Sequence, residues 1–195
     1  AAPWATLSQA TFLSLQSLWS GPWLRDVGGL DRGSVATVLF WTAAAMVLGY
    51  VLLGIIAERL SRAGIRPMTV AGAGMLLFML CQTAMILEWR LSPMLLWTMF
   101  GFSGTSGILV YADLSQRFPS QLAGRVNTGL NLLVFVVAFS AQWGVGAVIN
   151  LWPNTLIGYA PDGYRAGFGL LLALQVLAVL WFAGVHAKMH ASQRS

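Results

Sequence analysis

Hydrophobic residues in this chain form long runs, and charged residues collect in short clusters between the runs. Reading from one charged cluster to the next gives six apolar stretches, each of about the 20 residues that an α-helix needs to cross the hydrocarbon layer. These predicted spans are residues 5–24, 34–57, 68–87, 92–111, 126–150 and 166–185. The pattern predicts an all-α integral membrane protein, in which residues 1–195 form one unit of six transmembrane helices.

Glycine and proline mark several of the connections between these spans. Gly64 and Pro67 follow the second span, and residues 112–125 predict a 14-residue connection, the longest on the side of the chain termini. Gly21 and Pro22 predict a kink near the end of the first span.

The distribution of basic residues predicts the orientation in the membrane. An even number of spans places both ends of the segment on one side, and loops rich in Lys and Arg face the cytoplasm. Seven basic residues fall on the side of the termini: Arg59, Arg62, Arg66, Arg117, Arg125, Lys188 and Arg194. Four fall on the opposite side: Arg25, Arg32, Arg90 and Arg165. We therefore predict a protein of the cytoplasmic (inner) membrane with both termini of this segment in the cytoplasm.

The composition supports the same class. Hydrophobic residues make up 57% of the chain and charged residues 9%, whereas about a quarter of an ordinary soluble domain is charged. The net charge of +5 does not indicate nucleic-acid binding, because the basic residues are dispersed between apolar runs and do not line one face. The lipid bilayer is the expected partner, and nucleic acid is not.

The residues that usually carry catalysis are sparse in this sequence. No Asp, Glu, Lys or Arg lies in the middle of a predicted span, and we expect Glu88 and Asp113, at span boundaries, to be solvated. His186 and His190 have a spacing that could present two metal ligands, but no nearby Cys or acid completes a site. The only lysine is Lys188, so the chain has no P-loop. We expect no enzyme activity, no metal and no cofactor; coupling to a proton or ion gradient stays open.

Amide and hydroxyl side chains occur at membrane depth in two of the predicted spans. They are Gln9, Gln16 and Ser20 on the first span, and Asn127, Asn131 and Gln142 on the fifth. On ideal helices each set falls within a narrow arc. Unpaired amides are costly in hydrocarbon, so both arcs should face protein or water. They are predicted either to line a cavity for a solute or to hold helices together by hydrogen bonds.

The end of the second span carries a short charged motif made of Gly54, Glu58, Arg59 and Arg62. It resembles the hallmark loop of the major facilitator superfamily, which runs Gly, three residues, Asp, Arg, one residue, Gly, Arg and a further base. Glu58 stands for the Asp, Ser61 for the second Gly, and Ala63 replaces the last base. These departures resemble the degenerate copy found in the C-terminal half of such transporters.

A second stretch carries the same resemblance. Residues 117–119, Arg-Phe-Pro, followed by Ala-Gly-Arg at 123–125, are similar to the cytoplasmic connection before the eleventh helix of that family. The resemblance covers nearly the whole chain and implies that residues 1–195 match helices seven to twelve of a twelve-helix carrier, with the N-terminal half missing before Ala1. It also implies two inverted three-helix repeats, and the short motifs at 30–33 and 122–125 lie three spans apart, as such repeats would place them.

The resemblance implies a secondary active transporter that moves a small solute across the membrane by alternating access. The N-terminal half and the solute would then be its partners. In that family the fourth helix of this half lines the cavity and forms a gate, which makes Thr105 a candidate solute contact. The alternative is a self-contained six-helix membrane scaffold or lipid-handling subunit.

Overall fold

The computed structural model is helical throughout its regular structure and contains no β-strand in the part of the chain that it describes, residues 2–156 and 158–192. Within these ranges it describes all side chains except those of residues 2, 112, 114–117, 120 and 185–192. Arg117, His186, Lys188, His190 and Arg194, named above, lie outside the described side chains.

Six helical rods follow one another along the chain. They are α1 (Ala2–Ser14, a π turn at Leu15–Trp19, then Ser20–Asp26), α2 (Arg32–Arg62), α3 (Pro67–Ile86), α4 (Pro93–Gly104, a 3₁₀ turn at Thr105–Gly107, then Ile108–Arg117), α5 (Ser120–Ile149) and α6 (Pro161–Ser192). The predicted all-helical architecture is thereby confirmed.

Within the described residues, five helices are long and apolar enough to cross a membrane, which supports the prediction of a membrane protein. They are Arg32–Arg62, Pro67–Ile86, Pro93–Tyr111, Gln121–Ile149 and Pro161–Gly184. In α1 the π turn leaves regular segments of 13 and 7 residues, so the first of the six spans stays a prediction.

Local chemistry explains where the helices begin. The Asp31 carboxylate caps α2, because it accepts hydrogen bonds from the backbone of Gly33 at 2.8 Å and of Ser34 at 3.1 Å. The Ser34 hydroxyl donates a further bond at 2.7 Å, and together these bonds lower the pKa of Asp31. α3 and α4 each begin with proline, Pro67 and Pro93, which cannot donate but suits the first helical position.

The predicted connection at residues 112–125 is wrong. α4 continues to Arg117 and α5 begins at Ser120, so only two residues separate the helices. Phe118 has extended angles, φ −116° and ψ 149°, because the following Pro119 disfavours the helical region at the residue before it. The prediction that Asp113 is a solvated helix end is also wrong, since it lies inside the continued helix and is 8% exposed. Charged residues mark the end of an apolar span, but the helix itself continues past that end.

The interruption of α1 lies before the predicted kink. The helix is regular through Gly21 and Pro22, and the π turn spans Leu15–Trp19. Pro22 cannot donate to the carbonyl four residues earlier, and its ring crowds that carbonyl, at Leu18. A wider turn at this point relieves the crowding.

Packing divides the rods into two groups around a shared core. α1 packs on α5 and α6, while α4 packs on α2 and α3, and α3 contacts α6. Aromatic rings join the groups: Phe100 of α4 lies 4.9 Å from Phe78 of α3 and 5.0 Å from Trp97, which lies 5.8 Å from Trp23 of α1. Trp97 and Phe100 are fully buried, so this cluster fixes α1, α3 and α4 against one another.

Candidate functional site

Two interhelical hydrogen bonds connect polar side chains of α5 to α1 and to α4. The Gln142 amide nitrogen donates to the Ser17 hydroxyl of α1 at 2.7 Å. The Tyr111 hydroxyl of α4 donates to the Asn131 amide oxygen at 3.4 Å. Ser17 and Asn131 are exposed on the surface of the bundle. We call Ser17, Tyr111, Asn131 and Gln142 the polar seam.

The π turn changes which α1 residue faces α5. A π turn contains about one residue more than an α turn, so it rotates the later part of the helix by roughly 100° relative to the earlier part. Ser17, which was not among the predicted residues, contacts Gln142. The Gln16 carbonyl accepts from the buried Ser20 hydroxyl at 2.6 Å. Gln9 lies nearer the start of α1 and faces α4, with its amide nitrogen 3.5 Å from the Gly104 carbonyl oxygen. Gln9, Gln16 and Ser20 are therefore not related by one ideal helical repeat, because the π turn lies between Gln9 and Ser20.

Thr105 and Asn127 are two further candidates that take no part in the two hydrogen bonds of the seam. Thr105 is fully buried, and its hydroxyl donates to the Phe102 carbonyl of its own helix at 2.7 Å. Its side chain packs against Gly49 of α2. Asn127 is half-buried and precedes Asn131 by about one turn of α5.

The motif at Gly54, Glu58, Arg59 and Arg62 occupies the last turns of α2 and is not a loop, because the helix continues to Arg62. Glu58 and Arg62 form an ion pair at 2.5 Å, one helical turn apart, which supports the extension of the helix. Both side chains are largely exposed. Gly54 lies in open space, because a Cβ built there would have no contact within 4 Å.

A buried chain of amides was missed by the sequence analysis. The Gln175 amide nitrogen of α6 donates to the Gln82 oxygen of α3 at 2.7 Å, and the Gln82 nitrogen donates to the Phe168 carbonyl at 2.8 Å. The Ser8 hydroxyl of α1 donates to the Gln175 oxygen at 3.3 Å. Both glutamines are fully buried, so the chain joins three helices in the interior. An amide within an apolar run, such as Gln82 or Gln175, is the signal that could have found it, because it requires a partner.

Gln82→Leu should destabilise the protein by about 1–2 kcal/mol, because in an apolar interior it leaves the Gln175 amide nitrogen with only its longer bond, 3.3 Å, to the Leu171 carbonyl. Gln82→Leu combined with Gln175→Leu should cost less than the two single changes together, since both members of the pair are then apolar. Unfolding by denaturant in detergent micelles measures these differences. Strict additivity of the two changes would contradict the coupling.

A second cluster that was missed surrounds Asp26 at the other end of α1. Its carboxylate accepts from the Tyr164 hydroxyl at 2.7 Å, the Tyr159 backbone at 3.0 Å and the Arg25 side chain at 2.7 Å. The Asp26 side chain is 1% exposed, whereas that of Arg25 is 54% exposed. The Asp26 bonds tie the connection before α6, including residue 159, to the end of α1. At the same end Glu88, after α3, pairs with Arg165 of α6 at 3.1 Å.

Among the described residues no group of three His, Cys, Asp or Glu residues could hold a metal ion, and the predicted pair His186 and His190 lies outside the described side chains. No protein-family model, curated protein or solved structure matches the chain.

Proposed function

We propose that this chain is the C-terminal six-helix half of a major facilitator-type secondary transporter, which moves a small solute by alternating access and catalyses no reaction on it. The observation that carries the proposal is the polar seam. Ser17 and Asn131 are exposed at a depth where a lipid-facing side chain would be apolar, and each is bonded to a neighbouring helix. Polar groups on the surface of a membrane bundle fit a surface that faces water or a partner.

The pairing of helices supports the proposal of two inverted three-helix repeats. The contacts are related by an exchange of α1 with α4, α2 with α5 and α3 with α6. Under this exchange the α1–α5 contact becomes the α4–α2 contact, and the α1–α6 contact becomes the α4–α3 contact. The α3–α6 contact converts into itself, and α2–α3 converts into α5–α6. Inverted repeats in secondary transporters produce this relation, with the solute site near their interface.

The interruptions of α1 and α4 also support the proposal that these helices bend during transport. These two helices correspond under the exchange, and each is interrupted inside the bundle, at Leu15–Trp19 and at Thr105–Gly107. π and 3₁₀ turns within long helices often mark functional hinges. Their shared position fits a half whose central helices bend as the carrier changes between its two open states.

The seam favours a solute that is recognised by hydrogen bonds. Gln142 and Asn131 offer amides, Ser17 a hydroxyl and Tyr111 a phenol, and none of these four carries a fixed charge at neutral pH. Neutral polar or amphipathic solutes fit this chemistry better than strongly ionic ones. A proton or ion gradient would supply the driving force, and the N-terminal half would complete the cavity.

Transport of labelled solutes into vesicles that carry the full-length gene product tests the proposal. Asn131→Leu and Gln142→Leu should each lower kcat/KM for the transported solute by roughly 5- to 10-fold, as expected for one or two lost hydrogen bonds. Ser140→Ala is the matched control, because Ser140 is exposed on the same helix and, among the described residues, bonds only to the Val136 carbonyl, at 2.9 Å. It should leave transport unchanged.

Two results would contradict the proposal in different ways. Normal transport by both leucine variants would assign the seam to helix association and move the solute site elsewhere. Failure of any solute in a broad panel to move would instead favour the six-helix scaffold or lipid-handling subunit.

A further inference from the structure

A groove at the membrane edge lies between the start of α3, the start of α1 and the second half of α6. Its volume is about 460 Å³. Its walls include Trp4, Arg66, Thr69, Gly72, Leu76 and Phe182. The polar seam uses none of these residues, so the groove is independent of the proposed solute path.

The floor of the groove is apolar and shaped by a missing side chain. A Cβ at Gly72 would lie 3.4 Å from the edge of the Trp4 indole, so the glycine leaves room for this buried ring to pack against α3 beneath the groove. The Trp4 and Phe182 rings are 5.8 Å apart and close one wall. Ala73 and Leu76 are exposed along α3.

The length of the groove matches one leaflet. Arg66 precedes the first residue of α3, and Leu76 lies ten residues further on, which corresponds to about 15 Å along a helix. The hydrocarbon core of a bilayer is about 30 Å thick, so this distance equals half of it. A groove of this length accommodates a chain from a single leaflet.

The mouth of the groove is positively charged. Arg66 is exposed and forms no ion pair within the described residues, whereas nearby Arg62 is neutralised by Glu58. α3 begins without a side-chain cap, so its N-terminal partial positive charge faces the same end. The mouth therefore complements an anion, and the floor complements hydrocarbon.

We propose that this groove binds one anionic phospholipid of the leaflet on the side of the chain termini. The phosphate lies at Arg66 and the start of α3, and one acyl chain runs over Ala73 towards Leu76. Basic grooves between transmembrane helices on the cytoplasmic side are sites for acidic headgroups, and this leaflet is the one predicted to be cytoplasmic. A choline headgroup would bring a cation beside Arg66, which disfavours a zwitterionic lipid.

Native mass spectrometry of the full chain, released from detergent with added lipid, tests the site. Phosphatidylglycerol should bind at least 5-fold more tightly than phosphatidylcholine with the same acyl chains. Arg66→Gln should reduce this preference to near unity. Arg59→Gln should preserve it, because Arg59 is an exposed base near the same end of the bundle but does not line the groove.

A second pair of variants tests the acyl-chain path. Ala73→Phe should fill the groove and weaken binding of both lipids, while Ala43→Phe, at an exposed alanine of α2 outside the groove, should not. Thermal unfolding without added lipid checks that all four variants are folded. The proposal fails if Arg66→Gln keeps the preference for phosphatidylglycerol, if Ala73→Phe binds lipid normally, or if inorganic phosphate displaces the lipid at equal concentration.

Discussion

Asp26→Ala should lower the free energy of unfolding by about 3 kcal/mol. The Tyr164 hydroxyl and the Tyr159 backbone N–H both lose their acceptor, and an unsatisfied buried polar group costs about 1–3 kcal/mol. The Arg25 contribution is smaller, because its side chain is 54% exposed and solvent screens the pair. Denaturant titration in detergent micelles, with tryptophan fluorescence as the signal, measures the loss.

Two further variants separate the buried network from surface charge. Tyr164→Phe combined with Asp26→Ala should cost clearly less than the sum of the single changes, because the two residues share one hydrogen bond. Asp162→Asn is the matched control, since its side chain is 63% exposed and pairs only with Arg165 among the described residues. It should change stability by less than about 0.5 kcal/mol. A similar loss in Asp26→Ala and Asp162→Asn would contradict the importance of burial.

Gly49→Ala should destabilise the protein by about 2 kcal/mol, although alanine is the better helix former by up to about 1 kcal/mol. A Cβ at Gly49 would overlap the Thr105 hydroxyl and lie 2.8 Å from the Phe102 carbonyl oxygen. The carbonyl belongs to the backbone of α4 and cannot rotate away, so α2 and α4 must separate. The same micelle titration measures the change.

Gly54→Ala provides the control on the same helix. Gly54 is exposed, and a Cβ there would have no contact within 4 Å, so the substitution should be neutral or stabilise by up to about 1 kcal/mol. Adding Thr105→Ala to Gly49→Ala should recover part of the loss, because it removes the hydroxyl but not the Phe102 carbonyl. Equal effects at Gly49 and Gly54 would show that helix propensity, and not the α2–α4 contact, governs this position.

The candidate site was only partly predictable, because amide side chains can be recognised in a sequence but their partners cannot. Asn131 and Gln142 were predicted and do bond to neighbouring helices. Ser17 was missed, since an ideal 100° repeat takes no account of the π turn before Pro22. Thr105 was predicted as a solute contact, and its burial against Gly49 depends on how closely α2 approaches α4.

The sequence by itself determined the properties that depend on neighbours along the chain. Apolar runs of membrane length predicted the helices, and the predicted starts at residues 68 and 92 are each within one residue of the prolines that begin α3 and α4. Only the tertiary structure decided that Gln82 meets Gln175 and that Asp26 is enclosed by Tyr159 and Tyr164. Those partners are 93 to 138 residues apart, and their meeting depends on which helices pack together and how each is rotated about its axis. Hydropathy is a sum over local residues and contains no information about that rotation, so interior polar contacts follow from packing.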